Sequence, residues 1–181
     1  MRSNCNKLLP IVVALLASSA ISAAFADDNC VDFKWDVSKE RALFAMTPVP
    51  LTAGKGQTSA PEVVPNRLYK LRLVPQDQVI FPVSPGKKIA GANAMAGVAI
   101  LKISVPGSYR IAIDLPLWID VASNGSLVAT QDFEGQRNCN PPHKIVVFDL
   151  NGAQSFILQL NGTTAEDSVL LTVTPTPSRK L

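Results

Sequence analysis

Tyr109-Arg110-Ile111-Ala112-Ile113 is followed closely by Leu117-Trp118-Ile119-Asp120-Val121, and Asn124-Gly125 separates that run from Ser126-Leu127-Val128. Tyr109, Ile111 and Ile113 alternate against Arg110 and Asp114, so they share one face of a strand. Pro116 marks a strand end, because proline cannot donate to a sheet ladder. Asn-Gly between apolar runs is the strongest short-range signal for a hairpin. The stretch therefore predicts strand, turn, strand, turn, strand, with no room for a helix between them.

The same pattern extends in both directions. Upstream, Tyr69, Leu71 and Leu73 alternate, then Val79, Phe81 and Val83, and the run from Ala96 to Ile103 is apolar. Downstream, Ser126 to Thr130, Lys144 to Leu150, Ser155 to Leu160 and Ser168 to Thr174 follow, with Asn151-Gly152 and Asn161-Gly162 as further turn signals. Many short strands without alternating helices predict a mainly β, antiparallel sandwich of jelly-roll-like form. One segment differs. Around Asp36 to Met46 helix formers predict a short N-terminal helix, with Asp36 as N-cap and Trp35, Ala42, Leu43 and Met46 as its apolar stripe. Residues 47–66 hold Pro48, Pro50, Pro61 and Pro65 with Gly54 and Gly56, and read as a long surface loop.

The N-terminus reads as a secretory signal. Arg2 and Lys7 precede an apolar run, and Ala24-Phe25-Ala26 meets the small-x-small cleavage rule. The expected division is a signal at 1–26, helix and Pro-rich loop at 27–66, sandwich at 67–175 and a tail at 176–181. The expected address is the periplasm or the medium, without stable membrane insertion after cleavage. The signal would carry two of the 17 Lys and Arg residues and none of the 14 Asp and Glu residues. The remainder is then nearly neutral, which gives no electrostatic footprint for nucleic acid. Cys5 leaves with the signal. Cys30 and Cys139 are then two thiols in an oxidising compartment, and a disulfide between them is the expectation.

Gly107, Tyr109, Ile111 and Ile113, then Gly152, Phe156 and Leu158, form a turn followed by an aromatic and an aliphatic strand. This resembles the pre-peptidase C-terminal domains of secreted bacterial proteins, which implies a small β-sandwich module. Cys30 with Phe33 and Trp35, Trp118 to Val121, and Cys139 followed by His143-Lys144 also resemble a group of small exported proteobacterial proteins of no assigned function. Some of that group carry a homogentisate-dioxygenase label. Such an enzyme holds iron through two histidines and a carboxylate, whereas His143 is the single histidine of this chain.

Chemistry is thinly signposted. His143 is the one imidazole base, and it follows Pro141-Pro142 at the head of an apolar strand. Asp114, Asp120, Asp132 and Glu134 are the carboxylates that a glycosidase pair would draw on. No cofactor and no metal is expected, since one histidine and two paired cysteines leave too few ligands. Trp118 in an alternating strand reads first as core, and second as a ligand or partner contact. Asp120 lies two residues on and shares its face, so a buried Asp120 needs a partner such as Lys144 or Arg110. These residues predict a non-catalytic periplasmic binding or interaction module, with Trp118, Asp120 and Lys144 as its contact and an envelope protein as a candidate partner. The alternative is a small exported enzyme, a hydrolase or an oxygenase, using His143, Asp120 and Asp114.

Overall fold

The computed structural model describes residues 33–89, 91–136, 140–152 and 154–177. The signal segment, Cys30 and Cys139 lie outside them, and so does the expected bridge. The described chain holds one helix, α1 (Ser38–Phe44), and a series of strands. These are β1 (Val49–Thr52), β2 (Glu62–Val63), β3 (Leu68–Arg72), β4 (Val74–Pro75), β5 (Ala94–Lys102) and β6 (Gly107–Ile113). There follow β7 (Trp118–Ser123), β8 (Ser126–Leu127), β9 (Thr130–Gly135), β10 (Lys144–Leu150), β11 (Ser155–Thr163) and β12 (Ser168–Pro175). One sheet has the order β1-β3-β12-β6-β10-β9; the other runs β2-β5-β11-β7-β8, with β4 also on β5.

The long pairings are nested. β7 pairs with β8, β6 with β10, β5 with β11 and β3 with β12, all antiparallel. This is one long hairpin folded over itself into two sheets, which is the jelly-roll topology. Asn124-Gly125 sits at the tip, with φ of 50° and 76°. Those are the two left-handed positions that a type I′ hairpin turn requires.

Alternation delivers the core. Tyr69 and Leu71, Ile111 and Ile113, Phe148 and Leu150, and Leu171 and Val173 line one inner face. Leu101, Phe156, Leu158, Leu160, Ile119 and Val121 line the other, and all of them are buried. Each such side chain contributes about 1.5–3 kcal/mol of transfer free energy, so the inner faces dominate stability.

Several expectations need correction. Residues 47–66 are not one loop, because they hold β1 and β2, which pair in parallel at sheet edges. An edge strand bonds on one side only, so Pro50 is tolerated there. Val79, Phe81 and Val83 form no strand; residues 79–89 cross the outer face of the second sheet as a strap. Of the run to Thr130, Ser126–Leu127 form the ladder with β7 and the Val128 N–H adds a bond to Val121 O, after which the chain crosses between sheets to begin β9. Asn161-Gly162 is not a turn but lies inside β11.

The helix is where the sequence places it, but its cap and stripe differ. Val37 is the N-cap, and Asp36 Oδ1 accepts the Ser38 N–H one position along. Ala42 and Met46 face solvent. Leu43 is buried as expected, and Phe33 and Val37 are buried on Ala112 and Ile145 of the first sheet, with Trp35 and Phe44 packed at the rim. Glu40 also points inward. It is 1% exposed, pairs with Arg110 of β6 at 3.6 Å and accepts the Thr174 hydroxyl of β12. Arg110 Nη1 further donates to Asp36 O at 2.7 Å.

Candidate functional site

β8 pairs only with Ala122 and Ser123, so the Trp118 half of β7 has no strand beyond it among the described residues. On the facing sheet, β9 is the edge. Its register against β10 skips Gln131 between Asp132↔Val147 and Thr130↔Phe148. That bulge adds twist and re-aims the side chains around it. The two sheets therefore part along this edge. The resulting cleft has a volume of about 320 Å³ and is lined by Trp118, Ile119, Phe133, Lys144, Val146 and the 130–132 segment.

Each wall has a cause. Ile119 and Val146 are buried inner-face residues whose edges form the floor of the gap, where no further strand closes it among the described residues. Phe133 lies opposite Val146 on β9 and is 66% exposed, so its ring stands at the mouth. Lys144 begins β10, and its Nζ donates to Leu117 O at 3.0 Å, tying the two sheets together at the cleft floor. Its ammonium lies 5.1 Å from the Trp118 ring centre, and that of Lys87 lies 5.6 Å away. Burial first, and then the Lys87 charge, lower the Lys144 pKa; Asp120 acts in the opposite direction.

Trp118 is held from behind. Its Nε1 donates to Asp120 Oδ1 at 2.9 Å, and Gly86 N donates to Oδ2 at 2.9 Å. Gln159 and Asn161 flank this pair on the same outer face, opposite Asp120 and Trp118 in the β7–β11 register. Gln159 accepts the Val83 N–H at 3.1 Å and donates to Val83 O at 3.0 Å, and Asn161 donates to Lys87 O at 3.0 Å. A buried amide that pairs both main-chain groups of one residue imitates one rung of a sheet ladder. These three side chains clamp the 79–89 strap onto the sheet and fix Trp118 and Lys87 in place.

The structure thus brings Trp118, Asp120 and Lys144 together. Trp118 is half-buried rather than a core residue, because its face is roofed by the strap and its edge is open. Asp120 does not meet Arg110, which lies on the other sheet and serves Glu40. Asp114 accepts the Leu170 N–H at 2.8 Å on the first sheet, so its carboxylate and that of Asp120 serve different sheets. Asp132 and the Glu134 carboxylate are taken by Lys34, through Nζ at 2.7 Å and the main-chain N–H at 2.9 Å. His143 is half-buried at the head of β10, where its N–H donates to Ile113 O. Among the described residues no cluster of three or more His, Cys, Asp or Glu gathers as a metal site, and no helix is long and apolar enough to cross a membrane.

Sequence reasoning missed Phe133, Gln159, Asn161 and Lys87. Phe133 alternates with Asp132 and Glu134, a polar-rich strand whose apolar member had no local reason to be exposed. Gln159 interrupts an otherwise aliphatic strand, and that was the available signal. A second hollow, about 830 Å³, runs beside Trp35 between Pro106, Pro175 and Pro177. Its charged groups are already committed, Arg110 to Glu40 and Asp36, and Asp132 to Lys34. No protein-family model, curated protein or solved structure matches the chain.

Proposed function

We propose that this protein is an exported, non-catalytic binding module that takes its ligand in the inter-sheet cleft at Trp118. The single observation that carries the reading is the convergence there of Trp118, Phe133, Ile119 and Val146 with one ammonium, Lys144. Apolar walls with a few placed polar groups are the ordinary make-up of a ligand site. The carboxylates that chemistry would need are engaged in holding the fold: Asp120 on Trp118 and Gly86, Asp114 on Leu170, Asp132 on Lys34. Export is supported by the n-region, apolar run and Ala24-Phe25-Ala26 of the N-terminus.

Amide chemical-shift mapping with a small fragment library tests this. Perturbations are expected to cluster at Ile119, Phe133, Lys144 and Val146. Turnover of a chromogenic ester and glycoside panel is expected to be no different in Asp120→Asn or His143→Ala. Perturbations elsewhere, or turnover lost in either variant, contradict the reading.

A further inference from the structure

The charges around Trp118 do not balance. Lys144 and Lys87 bring two ammonium groups to within 5.1 and 5.6 Å of the ring centre. One carboxylate answers them, and both oxygens of that carboxylate, on Asp120, already accept N–H bonds from Trp118 and Gly86. Among the described residues that line the cleft, Lys144 is the one cation, and the Asp132 carboxylate there is already paired with Lys34 at 2.7 Å.

Lys144 also has unused bonding capacity. An ammonium carries three donors, and one of them is spent on Leu117 O. It sits half-buried, where a charge-assisted bond is stronger than in water. Beside it, Phe133 is 66% exposed and Trp118 half-buried, so both offer aromatic surface at the cleft. The cleft volume of about 320 Å³ is at the small end of ligand sites.

Resting on the binding reading above, we infer that the cleft takes a small apolar or aromatic monocarboxylate, with its carboxylate on Lys144 and its apolar body against Trp118 and Phe133. The one ammonium lining the cleft suits a single carboxylate. The aromatic walls select against acetate-sized acids, which would leave them wet. Lys87 adds long-range attraction, and Asp120 positions Trp118 rather than touching the ligand.

The experiment uses the purified protein with Trp35→Phe, so that Trp118 is the sole tryptophan and is excited selectively at the red edge of its absorption. Phenylpropanoate, phenylpropanamide and acetate are titrated in turn. Phenylpropanoate is expected to saturate the Trp118 signal and to bind roughly tenfold or more tightly than the amide, the worth of one charged hydrogen bond. Acetate is expected to bind more weakly still. Lys144→Met should level acid and amide, and Lys144→Arg should restore much of the gap. The acid–amide comparison needs no change at Lys144, so a misfolded variant cannot mask the outcome. Equal affinity for acid and amide overturns the inference and leaves the binding reading intact. If neither binds, the inference fails, and the fragment mapping decides whether the cleft binds anything.

Discussion

Glu40 and Arg110 form a buried ion pair between the helix and the first sheet, 1% and 7% exposed. Removing one member strands the other charge in a low-dielectric site. Glu40→Ala therefore loses about 3–5 kcal/mol in denaturant melts, while the double variant Glu40→Leu with Arg110→Met recovers most of it. A single variant as stable as the parent would show that α1 is not pinned here. Asp114 supplies the pH test. Its carboxyl is pushed above the ordinary range, first by burial, although the Leu170 N–H pulls it down. A raised folded pKa means that the neutral acid suits the fold. That contribution is complete below the unfolded pKa and is lost as pH rises through the folded one. Asp114→Asn is neutral throughout, so thermal melts show it gaining on the parent from about pH 3 to pH 6. A variant that gains instead on acidification contradicts the burial argument. At this scale the sequence was partly legible. The Trp118–Asp120 contact follows from residues two apart sharing a strand face. That Asp120 is met by the Gly86 N–H, and forms an ion pair with neither Lys144 nor Arg110, did not follow, because nothing local says what the strap brings to that face.

The strap over residues 79–89 owes its place to three side chains of another kind of element. Gln159 supplies both bonds to Val83, so Gln159→Leu removes them together. Hydrogen exchange at the Val83 amide then accelerates strongly, while Val121 in the core exchanges as before. Unchanged protection at Val83 would place the strap's anchor elsewhere. The hairpin tip and the β5 surface make a paired test. Gly125→Ala forces an alanine into φ of 76° and costs about 1 kcal/mol. At Gly97 a Cβ would lie 2.3 Å from Ala53 Cβ, so Gly97→Ala overpacks the sheet and costs about 2–3 kcal/mol. Denaturant midpoints rank the two, and a reversed order contradicts the packing described. The alternating strands were legible because period two survives any tertiary setting. The strap also alternates, Val79-Phe81-Val83, yet Val83, Gly86 and Lys87 bond to side chains rather than to a neighbouring strand, and periodicity cannot distinguish the two. β1 and β2 were hidden by prolines that an edge strand tolerates.

The whole molecule is a nested hairpin with one short member. β8 ends after Leu127, and the chain crosses to the other sheet to form β9. That economy leaves the Trp118 end of β7 with β11 on one side and, among the described residues, no strand on the other, and parts the sheets over Lys144. The sandwich class was legible from strand spacing and turn signals. The cleft was not, because it arises from a strand that stops early and from a bulge at Gln131, and neither leaves a pattern in the chain. The central claim is that this gap is a solvent-open, cation-lined site with Trp118 as its wall. The most direct measurement is collisional quenching of Trp118 fluorescence in Trp35→Phe, by iodide and by caesium, with and without phenylpropanoate. Lys144 and Lys87 concentrate anions at the ring, so iodide is predicted to quench more efficiently than caesium when each is scaled to its quenching of free N-acetyltryptophanamide, and saturating phenylpropanoate is predicted to suppress that quenching. Equal scaled quenching by the two ions, undisturbed by phenylpropanoate, would contradict the account.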